Sequence, residues 1–176
     1  MSLSSGNNRG DLSFNQCEAD TIMLSFYAAL RSSGYSNPVV IDAEDTDVYI
    51  QAAASSYDIP GIICVKKKRQ FLCCRGMCTD GDIAKCLISF HVMTGCDANS
   101  CFYGHGKTLL YEKMVKNLEA RRLLLKCGES LSLNGDALED LKSYVIRYVY
   151  GDAQSSSLDL ARAARWKGQK AASGHF

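Results

Sequence analysis

Val39-Val40-Ile41 is a run of three β-branched residues with no polar alternation, and it stops abruptly at Asp42-Ala43-Glu44-Asp45-Thr46-Asp47. A strand that alternates polar and apolar residues leaves one face to water. A continuous apolar run reads instead as a strand buried on both faces, the habit of parallel sheets covered by helices. This stretch therefore predicts an α/β fold and puts an acidic cluster just past the carboxyl end of a strand. In open α/β sheets that is where the reactive crevice lies.

The flanking pattern agrees. Ile22, Met23, Phe26, Tyr27 and Leu30 recur at helical spacing, and Gly34 stands where a helix end favours a residue tolerant of positive φ. Val48 to Ala54 reads as a helix. Ile62 to Val65 and Phe71 to Cys74 read as a hairpin whose turn is Lys66-Lys67-Lys68-Arg69. Thr79 or Asp80 caps a helix through Ile83, Leu87, Ile88 and His91 that ends at Thr94-Gly95, and helices are expected over 106–126, 135–150 and 157–166. Strands and helices first, then helices alone, predict one α/β core at 13–104 with a helical extension at 105–166. Residues 1–12, polar and rich in Ser, Asn and Gly, are expected to be a flexible start, and 167–176 a disordered tail.

At 176 residues and 47% hydrophobic, the chain is long enough for one domain with a real core. Its formal charge of +1 conceals a split: residues 1–60 carry eight acids and two bases, residues 61–176 eleven acids and eighteen bases. Such a split suits a site where acids gather cations and bases hold a polyanion. No apolar stretch approaches the length of a membrane span, and no N-terminal run resembles a signal peptide. The nine cysteines are accordingly expected to be reduced, in the nucleus or cytoplasm, and to pack as small hydrophobes. Cys73, Cys74 and Cys78, or Cys96, Cys101 and His105, lie close enough in sequence to ligate zinc, but neither group has the paired Cys-x-x-Cys spacing of a strong zinc motif.

Acids stand at three breaks between elements: Glu18 and Asp20 where the first helix begins, Asp45 and Asp47 beyond the strand, and Asp97 after a helix. In extended chain Asp45 and Asp47 point to the same side, whereas Glu18 and Asp20 diverge if their helix turn is regular. Carboxylates crowded in one cleft repel unless cations are present. Mg²⁺, a hard ion with oxygen ligands, suits such a ring, and two ions about 4 Å apart would activate water for phosphodiester hydrolysis. The alternative is that these acids are helix caps and solvated loop charges. Gly106-Lys107-Thr108 resembles the end of a nucleotide-binding loop, but Cys101 occupies the place of that loop's first glycine.

The segments QCEADTIMLSFYA, VVIDAEDTDV and LISFHVMTGCDANSCFYGHGK resemble, in this order, three blocks of the PIN-like flap endonuclease family. They are most similar to a divergent animal branch, some members of which are associated with mobile elements. The resemblance covers roughly residues 16 to 125. It implies a PIN-like fold, an incomplete parallel sheet flanked by helices, with a helix-hairpin-helix-like turn. It also implies that Glu18, Asp20, Asp45, Asp47 and Asp97 ligate two Mg²⁺ or Mn²⁺ ions, with Asp45, Asp47 and Asp97 as the catalytic set. Gly104, Gly106 and Lys107 would hold a phosphate of the nucleic acid, most naturally DNA, at a turn that in the family also binds K⁺. The basic turn at Lys66 to Arg69, and Arg121 with Arg122, would add non-specific phosphate contacts.

The chain departs from the family ahead of Glu18, where the family has a strand, a further catalytic Asp and a helical arch with basic side chains. The expectation is a sheet one strand short and a site lacking a ligand and its cationic electrophile, a loss worth orders of magnitude in rate. Two functions follow: a metal-dependent, structure-directed nuclease, or a catalytically inactive PIN-like remnant that binds nucleic acid or protein.

Overall fold

A computed structural model of the chain describes residues 19–76, 78, 80–127 and 134–172, with side chains through residue 167. Helix α1 (Ala19–Ser32) buries Tyr27 and partly buries Met23 and Leu24, while Phe26 and Leu30, expected on the same apolar face, are exposed. It ends as its sequence predicts. Gly34 takes φ 84° and Tyr35 N–H donates to the Leu30 carbonyl at 3.0 Å.

Arg31, in the last turn of α1, carries more of this corner than its sequence announces. Its guanidinium donates to the carbonyls of Tyr35, Asn37 and Ile62 at 2.7–2.9 Å and lies 4.9 Å from the Tyr27 ring centre. Gly61 lets it sit there: a Cβ at that position would lie 2.6 Å from Arg31 Cζ, and φ there is 105°. A helix end is thus tied to the start of the sheet.

Strands β1 (Val39–Asp42) and β2 (Ile63–Lys67) pair in parallel, with Ile41 opposite Val65, and β3 (Gln70–Cys73) returns antiparallel to β2. Helix α2 (Thr46–Ser55) makes the crossover between β1 and β2. The described part of the chain is therefore a mixed α/β fold with a small three-stranded sheet flanked by helices. The expectation that β1 is buried on both faces is corrected. Ile41 is buried, but Val40, on the opposite face, is 48% exposed, and its β2 neighbour Cys64 is only partly buried, so that face of the sheet is not fully covered. Ile63 and Val65 of β2, the central strand, are fully buried. The hairpin turn is also shorter than expected. Lys66 and Lys67 belong to β2, and Lys68 turns the chain with φ 56°, the left-handed geometry that two-residue hairpin loops demand.

Helix α3 (Gly81–Thr94) is the hub, packed against α2, α4 (Lys107–Lys116) and α5 (Leu118–Leu125). It buries a broad face that includes Ile83, Cys86, Leu87 and Phe90, and leaves a stripe through Asp82, Lys85, Ile88 and Val92 exposed. Asp80 caps it through the N–H groups of Asp82 and Ile83; Thr79, the other expected cap, lies outside the described residues. The continuous helix expected over 106–126 is two helices. Asn117 adopts extended backbone, and its side chain accepts from the N–H groups of Glu119 and Ala120, so it ends α4 and caps α5. Helix α6 (Gly135–Tyr144) continues into a single π-turn at Val145–Val149, and α7 (Leu158–Ala172) runs beyond Lys167, where the sequence reading placed a tail. Among the described residues no helix is long and apolar enough to cross a membrane.

The buried thiols pack as hydrophobes. Burial pushes Cys74 up to about 12 and Cys86 up to about 11, which holds both as neutral thiols at physiological pH.

Two stability predictions follow from these contacts. Gly61→Ala combines a strained φ with displacement of Arg31, and urea unfolding should show a loss of more than about 1 kcal/mol. A neutral change would mean that Arg31 does not tie α1 to the sheet. The second concerns acid. The N–H of Ile83, with that of Asp82 and the Arg121 guanidinium 2.6 Å away, holds the Asp80 carboxyl below its ordinary value. This stabilisation is complete above the unfolded value near about 3.9 and is lost as pH falls through the lower folded value. Asp80→Ala should therefore lower the melting temperature at pH 7 and leave a smaller further drop on acidification than the parent shows.

Candidate functional site

Three helix ends meet at the carboxyl end of β1. Asp47 in the first turn of α2, His91 in the last turn of α3 and Lys107 at the start of α4 form a continuous chain. His91 Nε2 lies 2.7 Å from Asp47 Oδ1, and His91 Nδ1 lies 2.7 Å from Lys107 Nζ, which also donates to the Gly95 carbonyl at 2.6 Å. The pattern closes when the Lys107 ammonium donates to Nδ1 and the Nε2–H donates to Asp47, which selects one imidazole tautomer. His91 is 7% exposed, and the chain borders an apolar cleft of about 380 Å³ walled by Ile50, Leu87, Phe90 and Tyr111. Burial pushes the Lys107 amine below its ordinary value, while the Asp47 carboxylate draws it back up.

The loop between α3 and α4 is shaped to deliver Lys107 there. Gly95 takes φ 112°, and a Cβ on it would stand 2.8 Å from Cys101 Cβ, so the loop folds tightly against α3. Cys96 and Asn99 exchange backbone hydrogen bonds at 3.1 Å across this loop. Cys101, where a nucleotide-binding loop needs glycine, is thus an element of that fold-back. Lys107 points inward, to His91 and Gly95, and not toward a nucleotide or an external phosphate.

The acids of this end have local partners. Asp42 pairs with Lys66 at 2.6 Å, and Glu44 accepts the Lys68 N–H at 3.0 Å, so part of the basic hairpin answers the acidic cluster. Exposed Asp45 caps α2 by accepting the Asp47 N–H at 2.8 Å. Asp97 is exposed in the α3–α4 loop, and Asp20 is partly buried in the first turn of α1. Glu18 lies outside the described residues. Contact through His91 and Gly95 brings Asp47 and the loop bearing Asp97 to one end of the sheet. Among the described residues, however, no three His, Cys, Asp or Glu side chains gather as a group able to hold a metal ion. The cysteine groups considered for zinc are likewise not among such groups in the described residues.

Gly104 has φ 74°, and Gly106 caps α4 with no side-chain bond, so a turn is present beside α4 with both glycines exposed and His105 between them partly buried. Of the other expected phosphate contacts, Arg121 is committed to Asp80 and Arg122 to Glu119, at 2.6 and 2.8 Å. His91 is the member of this polar chain that sequence reasoning passed over. Its only signal was a histidine on an otherwise apolar helix face, which by itself reads as core. Compared with protein-family models, with curated proteins and with solved structures, the chain matches nothing.

If His91 couples Asp47 to Lys107, the two substitutions Asp47→Asn and Lys107→Met should be non-additive. A double-mutant cycle by urea unfolding should give a coupling of about 0.5–3 kcal/mol. Additivity within about 0.3 kcal/mol would show that the imidazole transmits nothing between them.

Proposed function

We propose that this chain is a nucleic-acid-binding module of nuclease-like architecture that holds its ligand without cleaving it. The observation that carries this reading is the Asp47–His91–Lys107 chain. In a two-ion nuclease, clustered carboxylates are neutralised by bound cations and stay open to them. Here an internal imidazole and ammonium perform the neutralisation of Asp47, and Asp45 is engaged as a helix cap. With Oδ1 taken by His91, Asp47 has only Oδ2 to offer an ion, and the positive charge of Lys107 behind the imidazole disfavours a cation beside it. The choice of nucleic acid as the ligand rests on the three-block resemblance and on the surplus of basic residues beyond residue 60. Binding of this kind is electrostatic in large part and weakens as salt rises.

A metal-dependent nuclease is the second reading, favoured by one observation: the Asp47 and Asp97 segments do meet at the same end of the sheet, through His91 and Gly95. In that reading Mg²⁺ or Mn²⁺ would be held by Asp45, Asp47 and Asp97, with Glu18 and Asp20 as further ligands.

Labelled forked and flapped DNA, incubated with the purified chain in Mg²⁺ or Mn²⁺, separates the two. Binding should be retained in EDTA and should weaken with salt, and the DNA should remain intact. Cleavage that disappears in an Asp45→Asn/Asp47→Asn variant of unchanged circular dichroism would overturn the non-cleaving reading and establish the nuclease.

A further inference from the structure

The exposed turn before α4 and the last helix enclose a second groove, of about 370 Å³, separate from the Asp47–His91–Lys107 chain. Tyr103 on one side is 87% exposed, and Trp166 on α7 is 62% exposed. Arg162 and Arg165, both exposed, lie one turn and less from Trp166 on the same helix. Between them Tyr150 is braced edge-on by Phe102 and His105, with ring centres 6.1 and 6.0 Å away.

The chemistry of this groove is unlike that of the acidic end. No acid lines it. Asp159 lies 3.9 Å from Arg162, but both are well exposed, and such a pair neutralises little in water. The His105 imidazole is pushed below its ordinary value by burial, then by the positive charges of Arg165 and Lys113, a sign that the local field favours an anion. Its Nε2 is buried without a hydrogen-bond partner among the described residues.

Solvent-facing aromatic rings set among guanidinium groups match one class of polymer. Bases stack on aromatic faces irrespective of sequence while cations follow the backbone phosphates, and a duplex hides the base faces that such stacking needs. An acidic peptide would satisfy the arginines but would make no use of the exposed aromatic surface of Tyr103 and Trp166. We propose that this groove binds a single-stranded nucleic-acid segment, with bases stacked on Tyr103 and Trp166 and phosphates paired with Arg162 and Arg165. The proposal rests on the nucleic-acid reading above for its choice of polymer, and it adds the strand state and the place.

The chain reports on this site itself, because Trp166 is its one tryptophan. The full chain is titrated at low salt with fluorescein-labelled oligothymidylate, oligouridylate, a duplex of equal length and poly-glutamate, following label anisotropy and Trp166 emission. Single strands should quench Trp166 and bind more tightly than the duplex. Tyr103→Ala should weaken single-strand binding roughly tenfold. Arg162→Gln/Arg165→Gln should flatten the dependence of affinity on salt by roughly two counterions. Oligothymidylate and oligouridylate distinguish DNA from RNA, and quenching by either supports the site. Binding of strands with unchanged Trp166 emission and no effect of Tyr103→Ala would overturn this groove while leaving the nucleic-acid reading standing. No binding of any strand or duplex would overturn both. Poly-glutamate matching the single strands in affinity and quenching would make the groove a site for acidic protein.

Discussion

A lysine drawn partly out of water must find its compensation inside the protein, and in this chain that requirement organises one whole end of the fold. Lys107 finds it in His91 and the Gly95 carbonyl, and His91 in turn holds Asp47. The three side chains come from the starts of α2 and α4 and the end of α3, so one polar chain pins three helix ends together. Removing any member would leave a charge or a buried ring nitrogen unpaired, and such groups cost more to strand than to replace. The tight turn at Gly95 and the apolar cleft beside Phe90 and Tyr111 both follow from holding that chain in place.

The same economy runs through the rest of the acidic end. Asp42 answers Lys66, Glu44 holds the turn at Lys68, Asp45 caps α2 and Asp80 caps α3 while gripping Arg121. The contrast between an acidic first third and a basic remainder thus dissolves in part within the fold, since acids and bases far apart in sequence become partners. Arg162 and Arg165 stand elsewhere, on α7 beside Tyr103 and Trp166, with only the exposed Asp159 3.9 Å from Arg162. The acidic end and the aromatic groove therefore offer opposite chemistries, one internally neutralised and one open to an anion.

Much of the architecture was legible because it rests on local rules. The helical spacing and Gly34 predicted α1 and its end, the pair Thr79 or Asp80 predicted the start of α3, and the two apolar runs around a basic turn predicted the β2–β3 hairpin. Where local rules competed, the reading slipped. Asn117 sits in a stretch of good helix formers, and only the bonds its side chain makes to Glu119 and Ala120 reveal it as a break. Val40 belongs to a run that looks buried on both faces, but burial depends on what packs over each face of the sheet, and the face bearing Val40 is left partly open. The carboxylates of the candidate site were legible as a set of acids. Their engagement was not, because the partners of Asp47 and Asp42 are 44 and 24 residues away.

By itself the sequence determined where most of the helices and strands fall and the placing of acids just past a strand, since periodicity, capping and turn chemistry act over a few residues. Tertiary structure alone decided what those acids do. Whether a carboxylate is an open ligand or half of an internal pair depends on which distant side chain arrives within about 3 Å of it, and no local pattern encodes that. His91, unremarkable on an apolar helix face, acquires its role only when α2 and α4 bring Asp47 and Lys107 to its two nitrogens.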